Sequence, residues 1–365
     1  MEALILDRNY EALDIVDTFE SFIWTDRFRE AGDFELYMPM TTSAIEVLET
    51  DRYLYTRNSD RYMIVEEIEI ETDVEAGNHL KVTGRSLESI LDRRIIWNRT
   101  NLTGSVQNGI KKLLDENIIS PTDDTRRIPG FRFEASTDTR ITDLEMDAQF
   151  FGENLYDAIF SICELHDIGF KVLPEGVGGF VFKLYAGTDR SYRQEANPWV
   201  IFSPNFDNLL SSNYFESKTN YKTTALTAGQ GEGEEQKLIE APLESGAGSG
   251  LDRRELFVEA TGITMETRDE EGNELTGSAL QEAERQYMQE LKTKGLEALS
   301  ESGIEIATEG EVDAKRQFVY GTDFTIGDIV QVVNEYDMEM VCRISEVVQS
   351  HDLTGETMYP TFIQI

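Results

Sequence analysis

"SFIWTDRFREAGDFELYMP", residues 21–39, decides how the rest of the chain is read. Phe34, Leu36 and Met38 alternate with Glu35 and Tyr37 until Pro39 stops the run. A second short run, "SFIWTDRF", ends just before it, with Gly32 and Asp33 between. A period of two marks a strand with one buried face. Two such strands, short and closely spaced, predict the wall of a small β-barrel or sandwich.

The flanking sequence extends that pattern. "EALILD" and "EALDIVD" precede it; "RYMIVEEIEIE" and "HLKVTGR" follow, around an acidic turn "TDVEAGN" in which Gly77 and Asn78 supply left-handed conformers. Only "TSAIEVLET" reads as helical, so residues 1–95 form a first β domain. Residues 96–195 change character and read as a small α/β insert. There Ser105 caps a helix with Val106, Ile110, Leu113, Leu114 and Ile118 inward. Asn154 opens another with Leu155, Ile159, Ile162 and Leu165 inward, Gly169 closes it, and "FKVLPEGVGGFVFKLYAG" is a hairpin turning on Gly178 and Gly179.

From 196 to 365 the β pattern returns, interrupted by a long helix at 278–300 with Ser278 and Gln281 as a capping box. Its narrow stripe of Leu280, Ala283, Tyr287 and Leu291 suits a surface or a subunit contact. The two β regions also share a plan. "YMIVEEIEIETDVEAGNHLKVTG" and "MVCRISEVVQSHDLTGETMYPTF" each run strand, acidic turn with one glycine, strand, which predicts a duplicated unit.

Composition narrows the function classes. At 365 residues the chain exceeds one ordinary core and predicts two or three domains. No run of eighteen apolar residues occurs and no basic stretch opens the chain, so neither a membrane segment nor a secretory leader is expected, and synthesis is expected in the cytoplasm. Cys163 and Cys342 lie in apolar contexts and are expected as buried thiols. A net charge of −37 and a pI near 4.3 argue against a site that grips phosphates.

The charge is uneven: about −14 over residues 1–80, about +3 over 81–140 and about −26 over the rest. Two explanations stay open: a surface that DNA slides past without sticking, or adaptation of a halophilic kind, which 11 Lys against 22 Arg favours. At 1 M salt the screening length falls to about 3 Å, and the charge then says little about DNA.

Motifs that could carry chemistry are weak. Gly229, Gly231 and Gly233 in "AGQGEGEE" lack a following helix and are followed by Glu234 and Glu235, so a loop is read rather than a phosphate cradle. This loop and "ESGAGSG" bracket an expected hairpin, "QKLIEAPLE". His79, His166 and His351 form no ligand cluster, and neither Cys163 nor Ser86 has the setting of a nucleophile. "TDVEAGN" and "DEEGNE" have acids but not the spacing of a calcium loop. No cofactor or metal is therefore expected. "LDRRI" (91–95) and "LDRRE" (251–255) each place two arginines after an aspartate; local salt bridges are one reading, and subunit contacts through Arg93, Arg94, Arg253 and Arg254 are the other. Trp24, Trp97 and Trp199 sit in apolar runs and are expected to fill cores.

Seven stretches in order, "SFIWTDRFREAGDFELYMP", "YMIVEEIEIE", "KVTGRSLESILDRRII", "YAGTDRS", "GLDRRELFVEA", "FTIGDIVQVVN" and "RISEVVQSHDLTG", resemble the tail hub proteins of long-tailed, non-contractile viruses of prokaryotes. These minor tail proteins match the N-terminal part of tail-associated lysins. The resemblance implies two tail-tube-like β-barrel domains plus the small α/β domain. Three chains would form a homotrimer, a pseudo-sixfold ring at the tail tip. Implied partners are the distal tail protein hexamer, the tape measure protein and tip or receptor-binding proteins, with genomic DNA passing through unbound.

The chain ends at "PTFIQI", directly after the expected second barrel, so no attached lysin is expected and the chain is read as structural rather than as an enzyme. Two alternatives stand beside this reading. One is a cell-wall-degrading tail enzyme using a carboxylate pair; the other is a carbohydrate- or receptor-binding module.

Overall fold

A computed structural model of the chain describes residues 2–73, 77–231, 233, 236–268, 273–312 and 317–365. It is mainly β with an α+β insert. The first unit contains β1 (Ala3–Leu6), β2 (Ala12–Val16), β3 (Ser21–Arg27), β4 (Asp33–Pro39), helix α1 (Thr42–Val47), β5 (Tyr53–Thr56), β6 (Tyr62–Asp73) and β7 (Gly77–Ser86). Its strands lie in the order β3–β4–β7–β6–β5–β1–β2. Phe22, Trp24, Phe34, Leu36, Leu80 and Val82 leave one face of this sheet and close on Ala44, Ile45 and Val47 of α1. The helix starts where Thr41 Oγ1 accepts a bond from the Ala44 N–H at 3.1 Å. In the turn between β6 and β7, Gly77 takes φ +94°, whereas Asn78 is not among the left-handed residues. The middle of "TDVEAGN", the acids of "AGQGEGEE" and most of "DEEGNE" lie outside the described residues.

The insert contains β8 (Thr100–Ser105), α2 (Val106–Leu114), β9 (Phe131–Glu134), α3 (Thr139–Thr142), β10 (Glu145–Phe150), α4 (Leu155–Leu165), β11 (Gly169–Glu175) and β12 (Gly179–Tyr185). The expected stripe from Val106 to Ile118 is buried, the last residues in a π turn, Asp115–Ile119, that continues α2. Ser105 makes no side-chain cap bond, while Asn154 Oδ1 accepts from the Tyr156 N–H at 2.8 Å. After α4 it is Asp167, at φ +52°, that turns left-handed. Gly169 instead opens β11, where a Cβ would lie 2.5 Å from the Phe28 ring. The insert's core takes in Leu6, Tyr53 and Ile64 of the first unit, so the two are packed as one body.

The second unit contains β13 (Ile201–Phe202), β14 (Leu209–Ser217), β15 (Thr224–Ala228), β16 (Leu238–Pro242), β17 (Glu255–Glu259), α5 (Gly277–Ser300), β18 (Glu305–Val312), β19 (Ile329–Val333), β20 (Glu339–Asp352) and β21 (Gly355–Gln364). The order β14–β18–β21–β20–β19 repeats β3–β4–β7–β6–β5 strand for strand, antiparallel at each step. Both long hairpins even carry a bulge at the matching place, between Val65 and Glu67 and between Ile344 and Glu346.

Between β14 and β18 the chain makes an excursion, a small sheet of β16–β15–β17 covered by α5. "QKLIEAPLE" supplies one strand of it, not a hairpin; its partner is "TALTA" of β15. Helix α5 starts at Gly277 behind Thr276 with no side-chain cap, so Ser278 and Gln281 form no capping box. Ala283, Tyr287 and Leu291 of its stripe are buried within this same chain; Leu280 stays 37% exposed.

The two units share one thirteen-stranded sheet through a β20–β3 pair. This corrects the expectation of two closed barrels: the path of paired strands begins at β14 and ends at β2, and among the described residues those ends do not meet.

Candidate assembly surface

Strand β20 serves two partners. Its first half, Glu339–Arg343, pairs with β19; the bulge at Ser345 shifts the strand, and Glu346–Asp352 then pairs with β3, from Glu346 opposite Arg27 to Asp352 opposite Ser21. Trp24 and Gln349 face each other in this joint at 0% and 4% exposure. On the opposite, solvent face, Arg27 Nε donates to Glu346 Oε2 at 2.7 Å and Arg27 Nη1 to Asp33 Oδ2 at 2.5 Å.

A buried polar cluster lies under the joint. Asp26 accepts from Trp24 Nε1 at 3.0 Å, Ser59 Oγ at 2.8 Å and Tyr320 OH of the second unit at 2.8 Å. Burial pushes its carboxyl pKa up, while Arg61 and the three donors pull it back. Arg61, 2% exposed, meets the buried Glu88 and donates from Nη2 to Tyr185 OH at 2.9 Å. Glu88 also accepts from the Val172 N–H at 2.9 Å. Phe28, just past β3, is inserted among residues of all three parts, with the Arg343 guanidinium 4.6 Å from its ring centre and Gly169 and Gly327 against its edge. These charges face one another inside the protein, and the arrangement locks the three parts together.

The solvent face of the shared sheet is acidic. Asp33, Glu35, Glu67, Glu69, Glu71, Glu309 and Glu346 line it, answered by Arg27 and Lys81, with Lys81 Nζ 2.8 Å from Glu35.

A family model described as siphovirus ReqiPepy6 Gp37-like protein matches residues 2–362. The chain belongs to that family. Its fold is that of solved tail proteins. One is a 43 kDa tail protein of prophage MuSo2 from Shewanella oneidensis, at 13% identity and TM-score 0.57 over 100% of this chain and 98% of that one. Another is a tail protein from Neisseria meningitidis MC58, at 14% identity and TM-score 0.54 over 99% and 96%. A third is prophage tail protein gp18 from Listeria monocytogenes, at 13% identity and TM-score 0.50 over 99% and 94%. No curated protein sequence matches the chain.

In this Gp37-like chain the four arginines are held by local partners. Arg93 bonds Asp51 at 3.3 Å, and Arg94 donates to the Arg126 carbonyl at 2.9 Å. Arg253 bonds Glu255 and Glu240 at 2.6 and 3.0 Å, and Arg254 donates to the Lys218 carbonyl at 2.6 Å. Trp24 fills a core as expected, but Trp97 and Trp199 are 60% and 48% exposed. Trp97 lies under the Arg126 guanidinium, and Trp199 Nε1 donates to the Gln194 carbonyl, so both found polar surface partners that their apolar neighbours in sequence did not reveal. Cys163 and Cys342 are buried free thiols. Ser86 Oγ accepts from the Gly32 N–H at 2.8 Å and is fully buried. Among the described residues no three His, Cys, Asp or Glu side chains gather as a metal site, and no helix is long and apolar enough to cross a membrane.

Sequence reasoning did not single out Asp26, Arg61, Glu88 and Tyr320. The one signal available was Asp26 itself, an acid inside an apolar strand, which demands buried partners.

Proposed function

We propose that the chain is the structural tail hub: a homotrimer that joins the distal tail protein hexamer to the tail tip and forms part of the DNA channel. One observation carries this reading. Each chain holds two units with the same strand order, so three copies offer six equivalent units to a sixfold ring. The acidic solvent face of the shared sheet suits a channel wall that repels the DNA backbone. Tape measure protein above and tip or receptor-binding proteins below complete the set of partners. Exposed Ile95 and Trp97 lie beside Arg93, Arg94 and Arg126 on a face that also carries Asp92 and Asp123. That face, with Arg253 and Arg254, suits contacts to neighbouring subunits.

Light scattering coupled to gel filtration, at low and at molar salt, tests the reading. A species of three times the 41.5 kDa chain mass, seen as a ring by electron microscopy, is the expected result. A monomer that cleaves peptidoglycan would defeat it.

A further inference from the structure

Matching the two units residue by residue exposes a pair of unsatisfied edges. Through the bulges, Ile344 of β20 corresponds to Val65 of β6, and Gln349 to Ile70. Through the β4 and β18 registers, Trp24 of β3 corresponds to Tyr214 of β14, and Asp26 to Glu216. The side chains agree: Trp24 Nε1 donates to Asp26 at 3.0 Å, and Tyr214 OH donates to Glu216 at 3.1 Å.

The surroundings do not agree. Within the chain, β20 and β3 are paired and their facing residues Gln349 and Trp24 are buried. The corresponding strands β6 and β14 have no partner on the corresponding edge among the described residues. Ile70 shares the core face with its fully buried cross-strand neighbour Leu80, yet is 49% exposed. Tyr214 stands beside buried Thr308 and is 37% exposed. Each is half-covered because one neighbouring strand is missing.

Resting on the hub reading, we propose that β6 of one copy, over Glu67–Thr72, pairs antiparallel with β14 of a second copy in the register of the β20–β3 joint. Ile70 then lies opposite Tyr214, Ile68 opposite Glu216 and Thr72 opposite Ser212. The contact is head-to-tail: each copy offers β6 on one side and β14 on the other, so repetition of one joint closes a ring. Ring steps alternate between the β20–β3 joint within a chain and this joint between chains. The apolar Ile70–Tyr214 pair takes the place of Gln349–Trp24.

The test is disulfide trapping in the full chain. Residues directly opposite on antiparallel strands have Cα atoms about 4.5–5.5 Å apart, within disulfide reach. Ile70→Cys with Tyr214→Cys, oxidised at high protein concentration in molar salt, is expected to give reducible dimers and trimers on a non-reducing gel. The pair Ile70→Cys with Phe215→Cys, shifted to the other sheet face, is expected to give at least about tenfold less. Both altered positions of the matched pair are surface-exposed, so folding is preserved. A trimer by mass with no matched-pair link overturns this joint and leaves the hub standing. Absence of both trimer and link overturns both.

Discussion

Arg27 and Glu346 lie 319 positions apart in the chain and meet across the β3–β20 pair, with Nε 2.7 Å from Oε2. Nothing local to either residue brings them together; the sheet that spans both units does. Arg27 also bonds Asp33 and the Ala31 carbonyl, so one guanidinium ties the first hairpin to the last. Replacing Arg27 with Met is expected to cost about 1.5–3 kcal/mol in urea unfolding at low salt, the range for charge-assisted bonds, with a smaller loss at molar salt.

Phe28 continues the same strand into the contact of the three parts. Its ring is 2% exposed and belongs to the core of the second unit. Phe28→Ala is expected to destabilise by about 3–5 kcal/mol. Hydrogen exchange is expected to rise together in Gly169–Glu175 and around Gly327, because both press on that ring.

Glu290 of α5 gives a pH dependence with a definite sign. Burial, then the like charges of Asp147 and Glu266, raise its pKa to about 7, against a weaker pull from Arg99. A raised carboxyl pKa favours the folded state fully below about 4.5, and that contribution is lost as pH climbs through 7. Glu290→Gln is therefore expected to stabilise the protein by about 2 kcal/mol at pH 8 and to be neutral near pH 4. Thermal melts of the two proteins across that range check it; a gap that widens toward acid would refute it.

The two thiols should be inert in the folded protein. Burial pushes Cys342 up to about 12 and Cys163 further still. Labelling by a thiol reagent at pH 8 is expected to be at least about 100-fold slower than in the denatured chain, because the thiolate is the reactive form. Fast labelling of either would place it outside the core.

If the charge of −37 reflects adaptation to salt, screening its self-repulsion should raise stability. Going from about 0.1 to about 2 M KCl is expected to raise the melting temperature by about 5 °C or more. A fall over that interval would refute adaptation to salt.

The strands of the first unit were legible because their alternation is local: β3 and β4 follow it closely, and α1 lies where "TSAIEVLET" suggested. The likeness of the two long hairpins was legible for the same reason, since a strand, an acidic turn and a strand leave a pattern in adjacent residues. The short β5 was missed because "YLYT" is too brief to show a period. Helix caps at Ser105 and Ser278 were read too generously, since a capping residue type permits a bond that only the backbone geometry makes.

By itself the sequence determined which segments alternate, which face of each is apolar, and that the chain carries one β plan twice. Tertiary structure decided how the copies join: that β20 reaches past its own unit to β3, that buried Asp26 finds hydrogen-bond donors in Ser59 and Tyr320 from distant segments, and that β6 and β14 have bare edges among the described residues. The physical reason is that alternation fixes which side of a strand is buried, whereas strand pairing is made by backbone groups every residue carries. Which strands meet is settled only when the whole chain has packed.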